Sequence, residues 1–491
     1  MPLTFPENHP ETELAGTRPI AGDPSGRLVS LDVFRGLTIA GMLLVNNPGS
    51  WRADAIYPAL RHAEWNGCTP TDLVFPFFLF IVGVSLVLSS ARRLASSQPA
   101  TGLYAHVIRR SVALVILGLF QSRFPLVARD AEGFFTAWAK VGFGGVLLRL
   151  GLAALVLAAV VLLAGTRRQR AWIWTLASGL AACLTGWLLT SAADAAWFWR
   201  HLLDSRIPGV LQRIGICYFL AASLYLRCQR QRVIPAVLVG LLVGSALWML
   251  YIPVPGCGRP DLAAGLPPVG GEMIPPFCNW GLYLDTSLFG ARCFLKDVDA
   301  VTGQVRWAFD PDGAASTPAA LASVLLGILC GSWLQTGRSR RLARMLFVGA
   351  LLTIAGLLLH GWLPLNKQLW TGSYVLLTGG LALLVLGGCY YGLEIRGWRF
   401  GAVPFVAYGQ NAILAFLGSS LTATLLIHLR VSTVAGDGGQ RLITWKTWLY
   451  ENLFRTWACP RNASLFFALG VVVVWAGITW WLRRRRIFLK I

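Results

Sequence analysis

A polar stretch near the start of the chain contains the residue best suited to proton transfer. It runs through His62-Ala63-Glu64-Trp65-Asn66-Gly67 and is flanked by Asn46 and Asp72. Histidine takes up and releases a proton near neutral pH, and its imidazole can also act as a nucleophile. Of six histidines in the chain, His62 has the most polar neighbours. His62 is therefore the first candidate for catalysis, and the alternative is an ordinary histidine of a surface loop.

Asp72 and the pair Asp32 and Arg35 each have a structural interpretation beside a functional one. Thr69-Pro70-Thr71-Asp72 is typical of a helix start, with a capping threonine, a proline at the first helical position and an acid that completes a capping box. Asp32 and Arg35 are three residues apart, so on one helix face they would neutralise each other. The structural interpretation is favoured for all three, and substrate binding by Asp72 stays open.

Two arginines lie in apolar segments without an acid at helical spacing. Arg149 and Arg213 occur in the similar runs Gly-Val-Leu-Leu-Arg-Leu-Gly and Gly-Val-Leu-Gln-Arg-Ile-Gly. A charge in such a segment is costly in lipid and faces a partner, an anionic ligand or water. Each arginine must therefore pair with another helix, bind an anion or line a cavity. Arg213, with Gln212 beside it, is the stronger functional candidate.

Polar residues in two later connections could bind a substrate. Asp310 lies in Phe-Asp-Pro-Asp-Gly, which indicates a turn before a helix cap. Lys367 and Trp370 lie in a short connection, where a lysine can bind anionic or sugar groups or anchor the chain at a membrane interface. The sequence has no glycine-rich phosphate loop, paired-cysteine metal motif or serine nucleophile elbow, and we expect no metal.

The elements that must position these residues are membrane helices. Hydrophobic residues make up 55% and charged residues 13% of the 491 residues, whereas soluble domains have about 25% charged residues. The apolar residues fall in runs of about 20, the length that crosses a bilayer. We predict an all-α, polytopic helical bundle of about twelve spans, over residues 28–47, 71–91, 107–123, 143–165, 171–192, 207–226, 233–253, 315–336, 345–362, 370–390, 402–428 and 463–482.

The distribution of charge predicts the orientation. The net charge is +21, which in a soluble chain would suggest nucleic acid as a partner. With a cytoplasmic N-terminus, however, the inner connections, the inner end of the span 107–123 and the C-terminal tail together hold 21 basic residues and one acid, Glu394. This is the positive-inside bias, so both termini are predicted to be cytoplasmic and no nucleic acid is expected.

The predicted organisation is a polar tail (1–27), a membrane domain (28–482) and a basic tail (483–491). The first 27 residues contain no apolar core, so we expect a polar tail rather than a signal peptide. The long connections 254–314 and 429–462 are predicted to lie outside. The first contains Cys257, Cys278 and Cys293, two of which could pair in an oxidising compartment, although the sequence does not say which two.

Several motifs in order resemble the heparan-alpha-glucosaminide N-acetyltransferase family and its bacterial relatives. They are Arg27 to Thr38, His62 to Gly67, Asp72 to Phe78, Gly209 to Gly215, Phe309 to Pro318, Pro364 to Tyr374 and Gly409 to Ile413. The resemblance implies a membrane acetyltransferase that uses cytosolic acetyl-CoA to acetylate an amino sugar on the far side of the membrane. His62 matches the family's active-site histidine, and Asn46 matches the asparagine that ends its first core helix.

On this interpretation His62 and Asn46 are catalytic. Arg35, Arg109 and Arg110 would receive the phosphates of acetyl-CoA, and Gln212 with Arg213 would hold its extended arm. Asp72, Asp310, Lys367 and Trp370 would contact the sugar. The partners are then a small-molecule or glycan acceptor and the lipid bilayer of a bacterial inner membrane, and a homodimer stays open.

Two alternatives remain at this stage. His62 could carry the acetyl group covalently or act as a general base, and the base is favoured because an acetyl-imidazole near outside water would hydrolyse readily. The protein could also be a permease for a sugar or cell-wall fragment, with buried charges along its path. The acceptor, and whether an amine or a hydroxyl is acetylated, is not predicted.

Overall fold

The computed structural model describes residues 28–95, 100–126, 141–163, 169–192, 194, 196, 198, 200, 207–228, 233–262, 278–290, 294–298, 305–309, 312–335, 340–434 and 440–488. The polar tail 1–27, Cys293 and Asp310 lie outside these residues.

The described residues are mainly helical. The helices are α1 (Val29–Asn46), α2 (Val74–Ala95), α3 (Ala100–Arg123), α4 (Gly142–Leu163), α5 (Gln169–Leu189), α6 (Val210–Arg227), α7 (Val233–Tyr251), α8 (Trp280–Phe289), α9 (Thr317–Gln335), α10 (Arg341–Leu359), α11 (Gly372–Tyr390), α12 (Ala402–Gln410), α13 (Ala412–His428), α14 (Trp445–Leu449) and α15 (Pro460–Arg484). Single π turns follow α11 (Tyr391–Ile395) and α14 (Tyr450–Phe454). The predicted all-α membrane bundle is confirmed.

Two antiparallel hairpins lie in the long connections that the sequence predicts to be outside. Strand β1 (Phe294–Val298) pairs with β2 (Val305–Phe309), and β3 (Arg430–Val434) pairs with β4 (Gln440–Thr444). A disulfide joins Cys257 and Cys278, so two of the three cysteines in the first connection do pair.

Every predicted span contains a helix, but fewer helices than twelve meet the criteria for crossing a membrane. In the described part of the chain, nine are long and apolar enough, and a tenth results if α12 and α13 count as one span. Span five is a shorter apolar helix over Ile173–Leu189. In span six, Gln212 and Arg213 make the 18-residue helix α6 more polar. Span eleven is bent by 86° between Gln410 and Ala412.

Helices α1 and α12 cross in unusually close contact. A Cβ atom on Gly36 would overlap the carbonyl oxygen of Phe405, and one on Gly409 would overlap that of Asp32. Only glycine permits two backbones to approach so closely. The contact places Arg35 beside the end of α12.

The helices run between two ends of the bundle that differ in composition. The His62 end contains the loop 47–69, the loop 363–371 and the start of α15, where the Tyr57 hydroxyl donates to Asn462 Oδ1 at 2.5 Å. The arginine end contains the start of α1, the end of α2 and the end of α15, with Arg483 to Arg486.

Candidate functional site

The site at the His62 end begins with two loops that are joined by backbone pairing. Asn66 and Asn366 form an isolated β-bridge, in which Asn366 Nδ2 donates to Asn66 Oδ1 at 3.0 Å. The amide of Gly67 donates to the carbonyl of Leu365 at 2.7 Å. These contacts place the loop bearing His62 against the loop bearing Lys367.

Three predicted site residues therefore meet at this point. His62 Nδ1 lies 2.6 Å from Asp72 Oδ1 and 2.9 Å from Lys367 Nζ. Lys367 Nζ is 3.4 Å from the same carboxylate oxygen of Asp72. The Asp72 side chain is 1% exposed and that of His62 is 48% exposed, so a buried carboxylate holds an accessible imidazole.

Asp72 combines the structural and functional roles that the sequence left as alternatives. Its Oδ2 accepts hydrogen bonds from the amides of Ala63 and Thr69, at 3.1 and 3.0 Å, and from the Thr69 hydroxyl at 3.0 Å. The capping box is therefore present. Its Oδ1 contacts His62 and Lys367 instead, and the hydroxyl of Tyr374 donates to its carbonyl at 2.5 Å. The carboxylate is fixed from several directions before it contacts the imidazole.

This geometry determines which nitrogen of His62 is available. We assign a proton to Nδ1, because Asp72 Oδ1 at 2.6 Å can only accept; Nδ1 then donates to Asp72 in a charge-assisted bond, and the Lys367 ammonium group directs its own protons to Asp72 rather than to the ring. Nε2 then has a lone pair and can accept a proton. The buried carboxylate, imidazole and acceptor nitrogen follow the arrangement in which an acid orients a histidine base.

Burial alters the acid–base properties of two neighbours. It lowers the pKa of Lys367 below the ordinary lysine range, although Asp72 opposes the shift by stabilising the ammonium group. Burial and the charge of Asp72 raise the pKa of the Cys68 thiol to about 12. Cys68 is therefore protonated near neutral pH and is a poor nucleophile.

A second polar cluster lies behind Trp370. Arg213, with a fully buried side chain, is 3.8 Å from Asp312 Oδ1 and donates to the carbonyl of Gly313 at 2.8 Å and to the hydroxyl of Ser316. Its guanidinium lies over the Trp370 ring at 5.2 Å. Of the three alternatives that the sequence left open for Arg213, the structure shows a partner on another element, Asp312. Arg149 likewise pairs with Asp194 at 3.2 Å.

Toward the arginine end there is a cavity of about 550 Å³ between α1, α2, α3, α6 and the α12–α13 bend. Its polar lining includes Asp32, Arg35, Arg93, His106 and Arg110. The predicted pairing of Arg35 with Asp32 is confirmed at 3.4 Å. Cations outnumber acids among these residues, so the cavity suits an anionic ligand.

An apolar wall separates the cavity from the His62 centre. Phe78 of α2 lines the cavity, whereas Phe75, one turn closer to Asp72, packs edge-on against Trp370 at 5.3 Å. From Asp72 to Phe78 the rise is about 9 Å at 1.5 Å per residue. A ligand held in the cavity would need an arm of about that length to reach the His62 centre.

The other predicted site residues have varied positions. Arg110 lines the cavity, whereas Arg109 is exposed and donates to the carbonyl of Ala105 on its own helix at 3.2 Å. Gln212 and Arg213 do not line the cavity, because they project from α6 on the side away from Leu211 and Ile214, which do. Among the described residues Asn46 is exposed at the end of α1 and makes no hydrogen bond with His62. Trp370 is fully buried and so positions its neighbours rather than meeting a solvent-borne ligand.

Some cavity residues were not singled out from the sequence. Ser85 accepts from Arg35 Nη2 at 2.5 Å, Arg93 Nη2 donates to His106 Nε2 at 3.1 Å, and Gln410 and Phe488 complete parts of the lining. Arg93 and His106 lie near helix ends, where a charge is unremarkable. For Gln410 the available signal was the Gly409-Gln410-Asn411 run, which places two polar amides inside an apolar span.

The fold and the site together define a multi-pass helical membrane protein with a histidine–carboxylate centre at one end and a cationic cavity toward the other. The family model for heparan-alpha-glucosaminide N-acetyltransferase, catalytic, matches residues 27–208. The chain is 28% identical over 425 residues to the human protein named heparan-alpha-glucosaminide N-acetyltransferase, covering 80% of this chain and 52% of that protein. It is 27% identical over 412 residues to the mouse protein of that name, covering 80% and 53%.

The resemblance that the motifs indicated is confirmed: the chain is similar to the catalytic model of the heparan-alpha-glucosaminide N-acetyltransferase family and to the human and mouse proteins of that name. It spans about half the length of the curated relatives it matches. The family match includes His62 and Asp72, and Lys367 follows far outside it.

Proposed function

We propose that the protein is a membrane acetyltransferase that transfers the acetyl group of cytosolic acetyl-CoA to an amino sugar at the extracytoplasmic face. The observation that carries the proposal is the oriented imidazole of His62 at one end, with an arginine-lined cavity opening toward the other. The names of the human and mouse relatives support the reaction class.

The proposed sidedness places the arginine end in the bacterial cytoplasm. Exposed arginines concentrate there, among them Arg399 and Arg484 to Arg486, as the positive-inside bias requires. A cytosolic donor would then enter the cavity directly. The acceptor sugar would reach His62 from the opposite face.

Labelling of cysteines should test this orientation. Cys459 is an exposed free thiol at the start of α15, at the His62 end. We expect a membrane-impermeant thiol reagent to label Cys459 in intact cells. In a Cys459→Ser background, Arg485→Cys should be labelled only after permeabilisation, with the site identified by peptide mass mapping. Labelling of Arg485→Cys in intact cells would reverse the orientation.

The cavity is suited to acetyl-CoA in size and charge. Its volume of about 550 Å³ lies within the roughly 300–1,000 Å³ of small-molecule sites. Arg35, Arg93 and Arg110 would face the phosphates. Within the described structure, buried Arg110 Nε has no hydrogen-bond partner, so a phosphate oxygen would satisfy a donor that is otherwise costly to bury. Gln410 Oε1 is likewise an unused buried acceptor.

His62 acts as the general base in the proposed reaction. The neutral amine of the sugar attacks the thioester carbonyl, a C–N bond forms, and the amine proton passes to Nε2. The C–S bond then breaks, and the sulfur leaves as thiolate or takes that proton back from the imidazolium. Asp72 stabilises the imidazolium through Nδ1, and general bases of this kind contribute roughly 10²- to 10⁴-fold.

Lys367 has two effects at the same centre. Its ammonium group opposes protonation of a nearby substrate amine, which keeps that amine nucleophilic, and it can stabilise the oxyanion that forms on the acetyl carbonyl. Both effects need the charged form. The lowered pKa of Lys367 means that the charge is lost at a lower pH than for an ordinary lysine.

The pH–rate profile should show the loss of the charge on Lys367 as pH rises. We expect activity to fall on the alkaline side below the usual lysine pKa of 10.5, because the ammonium form disappears as pH rises through the lowered value. Lys367→Arg keeps a cation across this range, so its alkaline limb should move to higher pH, whereas Lys367→Met should lower the rate at all pH values by roughly tenfold or more. An alkaline limb that is identical in wild type and Lys367→Arg would assign it to another group.

Incubation of the purified protein with labelled acetyl-CoA and a panel of amino sugars tests the proposed function. Formation of an N-acetylated sugar is the expected result, and His62→Ala serves as the inactive reference. A panel that includes sugars with only hydroxyl groups separates N- from O-acetylation. Intact protein that binds acetyl-CoA but acetylates no member would contradict the acceptor class.

A permease is the second candidate, and one observation favours it. Helices α12 and α13 form a span broken at Asn411 beside the cavity, and broken helices occur at the binding sites of transporters. Uptake of labelled sugar by proteoliposomes without acetyl-CoA would support this function. Acetyl transfer without sugar accumulation would support the enzyme.

A further inference from the structure

A turn ends α15 at Arg486. Arg486 has a left-handed backbone with φ of 55°. The amide of Arg486 donates to the carbonyl of Arg483 at 3.0 Å, and that of Ile487 donates to Leu482 at 2.9 Å. These are the two hydrogen bonds of a Schellman motif, which ends a helix and turns the chain back. The residue that follows therefore lies against the bundle.

That residue, Phe488, lines the cationic cavity. It is half-buried and shares the lining with Leu28, Ser89, Arg93 and His106. Leu28 precedes α1, Arg93 is near the end of α2, and His106 is near the start of α3. All of these positions are at the arginine end, so Phe488 stands at the mouth of the cavity.

The mouth combines an aromatic ring with cations whose side chains are already positioned. Arg93 Nη2 lies 3.1 Å from His106 Nε2. Because arginine only donates, His106 Nε2 accepts and the imidazole is neutral in this contact. One helical turn along α3, the Arg110 guanidinium lies over the Tyr218 ring at 4.8 Å. A ligand that fits this mouth has an anionic part and a flat π face.

We propose that Phe488 stacks on the nucleobase of the donor, while Arg93 and Arg110 contact its phosphates. This inference rests on the proposed function and deepens it, because it assigns recognition of the nucleotide to a residue beyond the last helix. The acyl and pantetheine parts of the donor lack a π face, so they do not account for an aromatic ring among cations. An aromatic side chain can stack on any nucleobase, so this contact would add affinity for the donor without selecting among bases.

Binding of etheno-CoA, which fluoresces through its modified adenine, to the full chain in detergent or nanodiscs tests the proposal. Phe488→Leu keeps an apolar side chain but removes the π face, and Phe488→Trp keeps the π face. Ile487→Ala is the matched control, because Ile487 is the exposed neighbour in the same turn and does not line the cavity. Competition with adenosine bisphosphate and with phosphopantetheine separates the base from the arm.

We expect Phe488→Leu to weaken etheno-CoA roughly tenfold, which corresponds to about 1.4 kcal/mol. Phe488→Trp and Ile487→Ala should bind as the wild type does. Adenosine bisphosphate should compete roughly tenfold less well in Phe488→Leu, and phosphopantetheine should compete equally in both proteins.

Three results would overturn the inference. Unchanged etheno-CoA binding by Phe488→Leu would show that the ring does not stack. If adenosine bisphosphate and phosphopantetheine both competed equally less well in Phe488→Leu, Phe488 would close the mouth of the cavity rather than contact the base. A wild-type protein that binds no etheno-CoA would overturn the donor assignment itself, which the first two results would leave intact.

Discussion

Replacing Asp72 with asparagine should lower the acetyl-transfer rate by roughly 10²- to 10⁴-fold while the protein still assembles. Asparagine has the same shape, and its carbonyl oxygen can accept the bonds that Ala63 and Thr69 now donate to Oδ2. Its NH₂ group would then face His62 and donate to Nδ1. That contact places the imidazole proton on Nε2, so the histidine can no longer accept a proton from the amine.

Glu64→Gln is the matched control for Asp72→Asn. Glu64 is an exposed carboxylate on the same loop, and the same chemical change there should leave the rate within about twofold, as for surface positions generally. Donor affinity, measured with etheno-CoA, should be unchanged in both variants, because Asp72 does not line the cavity. Near wild-type turnover by a folded Asp72→Asn protein would contradict the mechanism in which Asp72 orients His62 as the base.

The helical bundle could be predicted because a membrane helix needs a run of about 20 apolar residues, which is visible in the sequence. The bend at Asn411 could not, since hydropathy stays high on both sides of it and the sequence predicts one span. At this bend Gly409 packs on the backbone of Asp32, a contact between distant segments that the sequence pattern does not contain.

The residues of the candidate centre could be predicted from the sequence, but their arrangement in space could not. His62 and Lys367 are separated by 305 positions, and they meet because of the bridge between Asn66 and Asn366. The sequence offered helix capping and a place in the site as alternatives for Asp72, but both are present. Its Oδ2 caps the helix start through Thr69, and its Oδ1 contacts His62.

Arg213 shows how far an unpaired charge can be interpreted from sequence. Its place in an apolar segment without a local acid left a partner, an anionic ligand or water as alternatives. The sequence could not identify Asp312, which precedes α9 in a long connection, and Arg213, which was expected to hold the donor's arm, does not line the cavity. Its contacts instead support Trp370 from behind the His62 centre.

His62→Ala should abolish acetyl transfer, with a loss of at least about 10³-fold, and leave donor binding intact. Alanine can neither accept a proton nor carry an acetyl group, and no other described base is equivalent, since the Cys68 thiol is protonated, with a pKa of about 12. His428→Ala is the matched control, because His428 caps its own helix through Thr424 at 2.8 Å. Turnover, etheno-CoA affinity and the thermal midpoint should be measured together.

The same variant distinguishes the two mechanisms open to an imidazole. A covalent carrier would release CoA and leave an acetyl group on His62 before any sugar is added, whereas a general base needs both substrates bound together. The structure favours the base, because the ring is 48% exposed and an acetyl-imidazole there would face water. Mass spectrometry of the wild type after acetyl-CoA alone should therefore find no stoichiometric acetyl group on His62. An acetyl group that is found there, chased off by an amino sugar and absent from His62→Ala, would establish the carrier instead, with Asp72 then stabilising the charged acyl-imidazole rather than an imidazolium.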